Sequence, residues 1–384
     1  MRTSILLSSL LASLSFSLVG CNGPTKAGKE ARSAANERAQ KATSVIVYDQ
    51  ARQSFESGQF DKALKEINEA IYRTPNDPRY WALRGRILLE TGRLELALAD
   101  FTKSTEVEPK FAEGWYCQGI VHERWSADDK AIAAYSKAAE TDPTKVAYLL
   151  AAAEVLVANR QYPEARAMLE PRLSYFENSA PMHQLLGQIA MLENEPALAA
   201  THYNRAMLID PKQPMVLDNL VRAQFAAGQW NECLQNVRRL QREAVGGRTP
   251  ERMRMEGRCL AMMGRTSDAR VVFSELTRES PDDPQVWVDL AAVAWDLGEY
   301  GRVATAASRL LRMAPDRYEG YVFQGLIEEK KGNTDAASEW FRKALDAARA
   351  RGEDPEFLLA LRGSDAGNAP RTAGAGEGDW TTEE

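Results

Sequence analysis

The same residue types return every 34 residues over most of this chain, and that regularity constrains the fold more than any other feature of the sequence. Small residues share one phase at Ala51, Gly85, Gly119, Ala153 and Gly187, then at Gly257, Ala291 and Gly325. A second small site comes twelve residues later in each period, at Ala63, Ala97, Ala131, Ala165, Ala199, Cys233, Ala269, Val303 and Ala337. Four residues further on stand bulky ones: Ile67, Phe101, Tyr135, Leu169, Tyr203, Val237, Phe273 and Phe341. Pro75, Pro109, Pro143, Pro211, Pro281 and Pro315 close most periods, and Trp81, Trp115, Trp287 and Tyr321 mark the starts of the units that follow. A period of this length signals stacked supersecondary units. The small sites let two helix backbones approach closely, the bulky ones fill the seam at 3.6-residue spacing, and proline ends a helix. No such unit buries its apolar face alone, so neighbours must stack.

These phases resemble the tetratricopeptide repeat family, whose consensus places Trp, Leu-Gly, Tyr, Ala, Phe, Ala and Pro at them. The resemblance implies an all-α fold, a right-handed α-solenoid of about nine helix-turn-helix units. They are placed at 44–77, 78–111, 112–145, 146–179, 180–213, 214–247, 250–283, 284–317 and 318–351. Three departures stand out. Pro171 falls inside the expected second helix of the fourth unit and should shorten or kink it. The sixth unit has Val221 and Cys233 at its two small sites and lacks a closing proline. After it come Gly246, Gly247 and a two-residue insertion before Pro250, where a weaker joint is expected, or else a drifted repeat with unchanged packing.

The N-terminal residues read as an address. Arg2 precedes an apolar, serine-rich run from Ile5 to Val19, too short to span a bilayer comfortably and suited to a signal peptide over 1–20. The run ends in Leu18-Val19-Gly20-Cys21, which resembles the bacterial lipobox. That resemblance implies lipidation of Cys21 and cleavage before it. The expected location is then the cell envelope, on the periplasmic face of the outer membrane in an organism with two membranes, toward which Asn22 weakly points. Each buried CH₂ contributes roughly 0.8 kcal/mol, so two or three acyl chains anchor stably where one does not. Residues 21–43, rich in Ala, Lys, Arg and Glu without an apolar face, read as a lipidated tether, with helix expected toward its end. Beyond the repeats of 44–351, Asp354-Pro355 begins a short capping helix over 352–362, with Phe357, Leu358, Leu359 and Leu361 to cover the last unit. The Gly- and Ala-rich acidic stretch over 363–384 is expected to be disordered.

In the family, first helices line a concave groove that holds peptide segments. Carried over position by position, the resemblance puts Arg52, Arg86, Arg222 and Arg258 at one inward site. Neighbouring inward sites take Tyr48, Arg79, Tyr116, Arg124, Phe225, Arg254 and Trp295, with Glu90, Glu123, Asp218 and Met262. Arginine with exposed aromatics is the composition of binding hot spots. Arg52, Arg79 and Arg86 make one expected basic patch, and Arg222, Arg254 and Arg258 another. The competing expectation is that these arginines pair with Glu90, Asp218 and Glu251 and only solvate the groove. No three consecutive units supply the Lys, Asn and Arg set of a carboxylate clamp for chaperone tails.

Chemistry is thinly provided. His122, His183 and His202 share no motif, His183 occupying the Trp phase, and all three read as structural. Paired carboxylates, a phosphate-binding glycine loop and CxxC pairs are lacking, so neither an enzyme nor a cofactor or metal is expected. Cys117, Cys233 and Cys259 read as small buried residues, although 233 and 259 fall on helices expected to be adjacent, within reach of a disulfide in an oxidising compartment. A net charge of -6 argues against nucleic acid as a partner. The expected function is a membrane-anchored scaffold that binds protein partners and supports an envelope complex of pilus, secretin or export type. The alternative is a receptor or carrier for polysaccharide or cell-wall polymer, disfavoured because Tyr48, Tyr116, Phe225 and Trp295 are too far apart to form a row of sugar platforms.

Overall fold

The structure, a computed structural model, describes residues 25–243 and 247–352. The expected signal peptide, Cys21, the helix over 352–362 beyond its first residue and the acidic tail lie outside the described residues. Every described element is helical: eighteen α-helices and one 3₁₀ turn. They fall into two compact units, one ending at Lys145 and one beginning at Val146. The first unit holds α1 (Lys26–Glu56), α2 (Phe60–Arg73), α3 (Pro78–Glu90), α4 (Leu94–Val107), α5 (Ala112–Arg124) and α6 (Asp128–Thr141). The second begins with α7 (Val146–Ala158), α8 (Tyr162–Leu169), α9 (Ala180–Leu192), α10 (Pro196–Ile209), α11 (Pro214–Ala226) and α12 (Trp230–Glu243). It continues through α13 (Pro250–Met262), α14 (Thr266–Glu279), α15 (Pro284–Asp296), α16 (Tyr300–Met313), α17 (Tyr318–Lys330) and α18 (Thr334–Arg351). Each odd helix packs on the even one after it, so the described chain is an α-solenoid of helix-turn-helix pairs whose bounds follow the 34-residue phase.

Three local rules write the pair. The first concerns the close approach. A Cβ built on Gly85 would lie 2.6 Å from a ring carbon of Phe101, and one on Gly119 would lie 2.4 Å from Tyr135. Gly187 with Tyr203, Gly257 with Phe273 and Gly325 with Phe341 repeat the arrangement, at no more than 2.9 Å. Where the first position carries a Cβ, the residue sixteen later is aliphatic: Ala51 with Ile67, Ala153 with Leu169, Val221 with Val237, Ala291 with Ala307. Ring and side-chain-free backbone therefore form one packing unit, and filling both positions would overpack it.

The second rule sets the turn. Each odd helix ends just before a residue of positive φ, which is Gly58, Gly92, Gly228, Gly264, Gly298 and Gly332 in six pairs. Ser126, Arg160 and Asn194 take the same conformation, at φ 53°, 60° and 60°. Glycine is the ordinary solution for a left-handed helix cap, and three repeats do without it.

The third rule ties one pair to the next. The indole N–H of Trp81 donates to the Pro75 carbonyl at 2.7 Å, Trp115 to Pro109 at 3.1 Å and Trp287 to Pro281 at 2.8 Å, and the Tyr321 hydroxyl donates to Pro315 at 2.9 Å. The closing proline and the aromatic six residues on are two halves of one clasp. Asp77, Thr249 and Asp283 then cap α3, α13 and α15 by accepting from a backbone N–H of the first turn, each followed by proline at the first helical position.

Two departures have visible causes. Helix α8 stops at Leu169 after eight residues, and Glu170–Arg172 tightens to a 3₁₀ turn around Pro171, which has no N–H to continue the α ladder. The segment expected as a tether is helical from Lys26 onward. Thr25 caps Gly28 at 3.2 Å, and α1 then runs unbroken for 31 residues, with Ser44 its first buried residue. Ala, Lys, Arg and Glu favour helix strongly enough to extend the first repeat's helix without a packing partner.

Candidate functional site

Within each unit some successive odd helices touch one another, α1 with α3 and α3 with α5 in the first, α13 with α15 and α15 with α17 in the second. The arginines and aromatics expected at inward phases lie on these helices and on α11.

In the first unit, Tyr48 of α1 stacks on Tyr80 of α3 with ring centroids 5.0 Å apart. The Arg79 guanidinium sits 5.7 Å from the Tyr48 ring and 6.0 Å from that of Tyr80, and Asp77 accepts from its Nε at 2.9 Å. Asp77 holds the Arg79 cation well above its ordinary pKa. Arg86 lies over Phe55 at 5.1 Å and 3.6 Å from Glu113 of α5. Arg52 lies 3.6 Å from Asp49, so both of these ion pairs are looser than a hydrogen bond. Exposed Arg124 reaches back to the Leu89 carbonyl at 3.5 Å. Tyr116 packs at 5.3 Å on Tyr135, whose hydroxyl donates to Glu123 at 2.6 Å; burial and that carboxylate raise the Tyr135 pKa. Burial first, and Glu113 second, push the Tyr48 phenol upward as well.

In the second unit, Arg222 donates to Asp218 at 2.8 Å. Arg258 lies 4.9 Å over Phe225, which meets Trp230 edge-on. Arg254 of α13 donates to Asp289 of α15 at 2.7 Å, and Asp289 is buried. Burial raises the Asp289 carboxyl above its ordinary range against the pull of Arg254 and Arg258, and burial also lowers the Arg258 pKa.

The expected basic patches are in part neutralised, as the competing expectation held, although mostly by other carboxylates. Arg52, Arg79, Arg86, Arg222 and Arg254 each have a carboxylate partner. Those partners are Asp49, Asp77, Glu113, Asp218 and Asp289, of which only Asp218 was anticipated. Trp295 is not an exposed platform: it is 3 % exposed, packed edge-on against Tyr300 in the core of α15 to α18. Four arginines retain about half their side-chain surface, Arg79 at 53 %, Arg52 at 56 %, Arg86 at 47 % and Arg222 at 46 %. Of these, Arg79 and Arg86 lie over aromatic rings, while Arg52 and Arg222 are held by carboxylates of their own helices.

Elsewhere two histidines meet. His183 Nδ1 lies 3.3 Å from His202 Nδ1, and its Nε2 lies 3.1 Å from the Glu177 carbonyl, six residues back, where the tryptophan phase makes its clasp. His183 thus stands in for tryptophan. Burial, then His183 and Arg166, depress His202 to about 4, so the pair is neutral near pH 7. Cys117 is buried, which pushes its thiol up to about 12, far from a reactive thiolate. Among the described residues no group of three or more His, Cys, Asp or Glu is placed to hold a metal ion, and no helix is long and apolar enough to cross a membrane.

Residues 48–106 and 288–354 match one tetratricopeptide repeat family model, and residues 129–189 match a second. Among solved structures, the chain is similar to a tetratricopeptide repeat protein from Parabacteroides merdae at 14 % identity, with 65 % of this chain and 98 % of that one covered and a TM-score of 0.43. It is similar to Pseudomonas aeruginosa pilF at 17 % identity, 53 % and 92 % coverage and a TM-score of 0.41. It is similar also to PilW, described as a type IV pilus biogenesis factor, at 20 % identity, 52 % and 92 % coverage and a TM-score of 0.44. None of the curated proteins matches. On its 34-residue phase, its paired helices and the two family models, the chain carries tetratricopeptide repeats.

Proposed function

We propose that this chain is a membrane-anchored, non-catalytic scaffold of the bacterial cell envelope. It holds protein segments against its odd-numbered helices and supports assembly of an envelope complex of pilus, secretin or export type. The observation that carries the reading is the arginine laid on an aromatic ring, at Arg79 on Tyr48 and Arg86 on Phe55 in the first unit and Arg258 on Phe225 in the second. A guanidinium so held is pre-oriented, keeps in-plane donors for a partner's carboxylate or carbonyl, and loses little side-chain entropy on binding. Because Arg52 and Arg86 face Asp49 and Glu113 only at 3.6 Å, a partner gains by exchanging these loose pairs for bidentate ones, which favours specificity over bulk charge attraction. The envelope location rests on Leu18-Val19-Gly20-Cys21 and the apolar run before it.

Two experiments test the parts separately. Cys21→Ser is expected to move the protein from the membrane fraction to the soluble fraction of lysed cells; a variant that stays with the membrane contradicts the anchor. Arg52→Glu with Arg86→Glu reverses two exposed, loosely paired cations. It is expected to cut partner capture at least tenfold while moving the melting temperature by under about 2 °C, since exposed pairs contribute roughly 0–1 kcal/mol. Unchanged capture would move the binding surface elsewhere.

A further inference from the structure

Two of the three cysteines among the described residues meet at a single point. Cys233 of α12 and Cys259 of α13 are both fully buried, with their sulfurs 3.2 Å apart. The Cys233 thiol also lies 3.5 Å from the Val221 carbonyl. The positions are fixed by the repeat: one is the small site of an even helix, the other lies two residues past the small site of the next odd helix. At the equivalent places of other joints stand Ala63 and Ile87, Ala97 and Val121, and Ala269 and Val293, all buried. Alkyl side chains therefore suffice for packing at this site. Two independent substitutions to cysteine as small apolar fillers would not need to fall on facing members of one joint.

We propose that Cys233 and Cys259 are a modification site, a dithiol that closes to a disulfide stapling α12 to α13. The joint it spans carries the two-residue insertion and lacks the closing proline that ties other pairs together. A disulfide needs its sulfurs at about 2.05 Å, so they must approach by about 1.1 Å, within the reach of side-chain rotation. The oxidant is a low-molecular-weight or protein disulfide. One cysteine attacks its S–S bond, forming a mixed disulfide and releasing one thiol. The second cysteine displaces the other half, so two electrons and the two thiol protons end on the two released thiols. Both sulfurs are shielded in the closed joint, so exchange proceeds as the chain folds or when α12 and α13 part, and the product is then protected from reductants. The staple does not depend on the binding surface proposed above.

The full chain is equilibrated in oxidised and in reduced glutathione buffers, quenched in acid, denatured, alkylated and mapped by mass spectrometry. The expected result is a 233–259 disulfide after oxidation with Cys117 alkylated, and a melting temperature higher by roughly 5–10 °C than in the reduced form. The variant Cys233→Ala with Cys259→Val restores the alkyl pair of the other joints, and is expected to fold and to lose the redox-dependent shift. Alkylation of both cysteines after oxidation, linkage of either to Cys117, or an equal shift in the double variant would overturn the proposal.

Discussion

Replacing Asp289 by alanine is expected to destabilise the second unit by roughly 3–5 kcal/mol, read as a lowered denaturation midpoint in the transition that unfolds α13 to α15. The carboxylate accepts from Arg254 at 2.7 Å, and both Arg254 and Arg258 attract it. Its loss leaves two partly buried guanidinium groups facing an apolar void, and a buried cation without its counter-charge costs several kcal/mol. The Arg254 side chain is 23 % exposed, so solvent relieves part of the penalty and the lower end of the range is the better expectation. Because burial outweighs the arginines and raises the Asp289 pKa, the cluster is a poor source of net stability even when intact. Asp289→Leu combined with Arg254→Met and Arg258→Met is accordingly expected to recover most of the loss, within about 1–2 kcal/mol of the parent. A triple variant as unstable as the single one would show that packing, not charge, is what Asp289 supplies. The sign of the pH dependence follows: an acid raised in the fold binds more protons there than unfolded. Its contribution is therefore present at low pH and declines as pH rises from its ordinary value through the raised one.

The second large effect concerns the glycine and ring pairs. Gly85→Ala places a Cβ 2.6 Å and 2.8 Å from two ring carbons of Phe101, a ring that is itself fully buried. Overpacking of this kind costs about 1–3 kcal/mol, and the better helix propensity of alanine returns about 0.5–1 of it, for a net loss near 1–2 kcal/mol. Phe101→Leu alone leaves a void and costs about 1–2 kcal/mol. The two changes together recreate the alanine and leucine combination that the chain itself uses at Ala153 and Leu169. The double variant is expected to be more stable than the sum of the singles by at least about 1 kcal/mol, measured by a denaturant double-mutant cycle. Strict additivity would mean that the two sites pack independently.

These cases show where the sequence was informative. The helix pairs, their phase and the short α8 at Pro171 follow from spacing, because helix crossing and proline each impose a local residue type. The coupling of glycine to an aromatic sixteen residues later was equally present in the letters, as was the positive-φ phase begun by Gly58 and Gly92. The latter is masked where Ser126, Arg160 and Asn194 replace glycine. The binding surface was less legible. Position within a repeat assigns a side chain to a face but says nothing of what meets it from the next pair, so Arg86 with Glu113 and Arg254 with Asp289 appear only once the helices stack. Trp295 fails for the same reason: its phase suits an inward platform, but Tyr300 and the helices after it close over the ring.

Binding of protein segments along the odd helices, as proposed above, can be read directly. A photo-cross-linking residue placed singly at positions 52, 86 and 222, and for comparison at the exposed positions 65, 103 and 235 on even helices, tests it in living cells. Discrete protein adducts are expected from the first set and none from the second, with the captured segments identified by mass spectrometry. Protein adducts from the even helices alone, or glycan adducts without a protein partner, would contradict it.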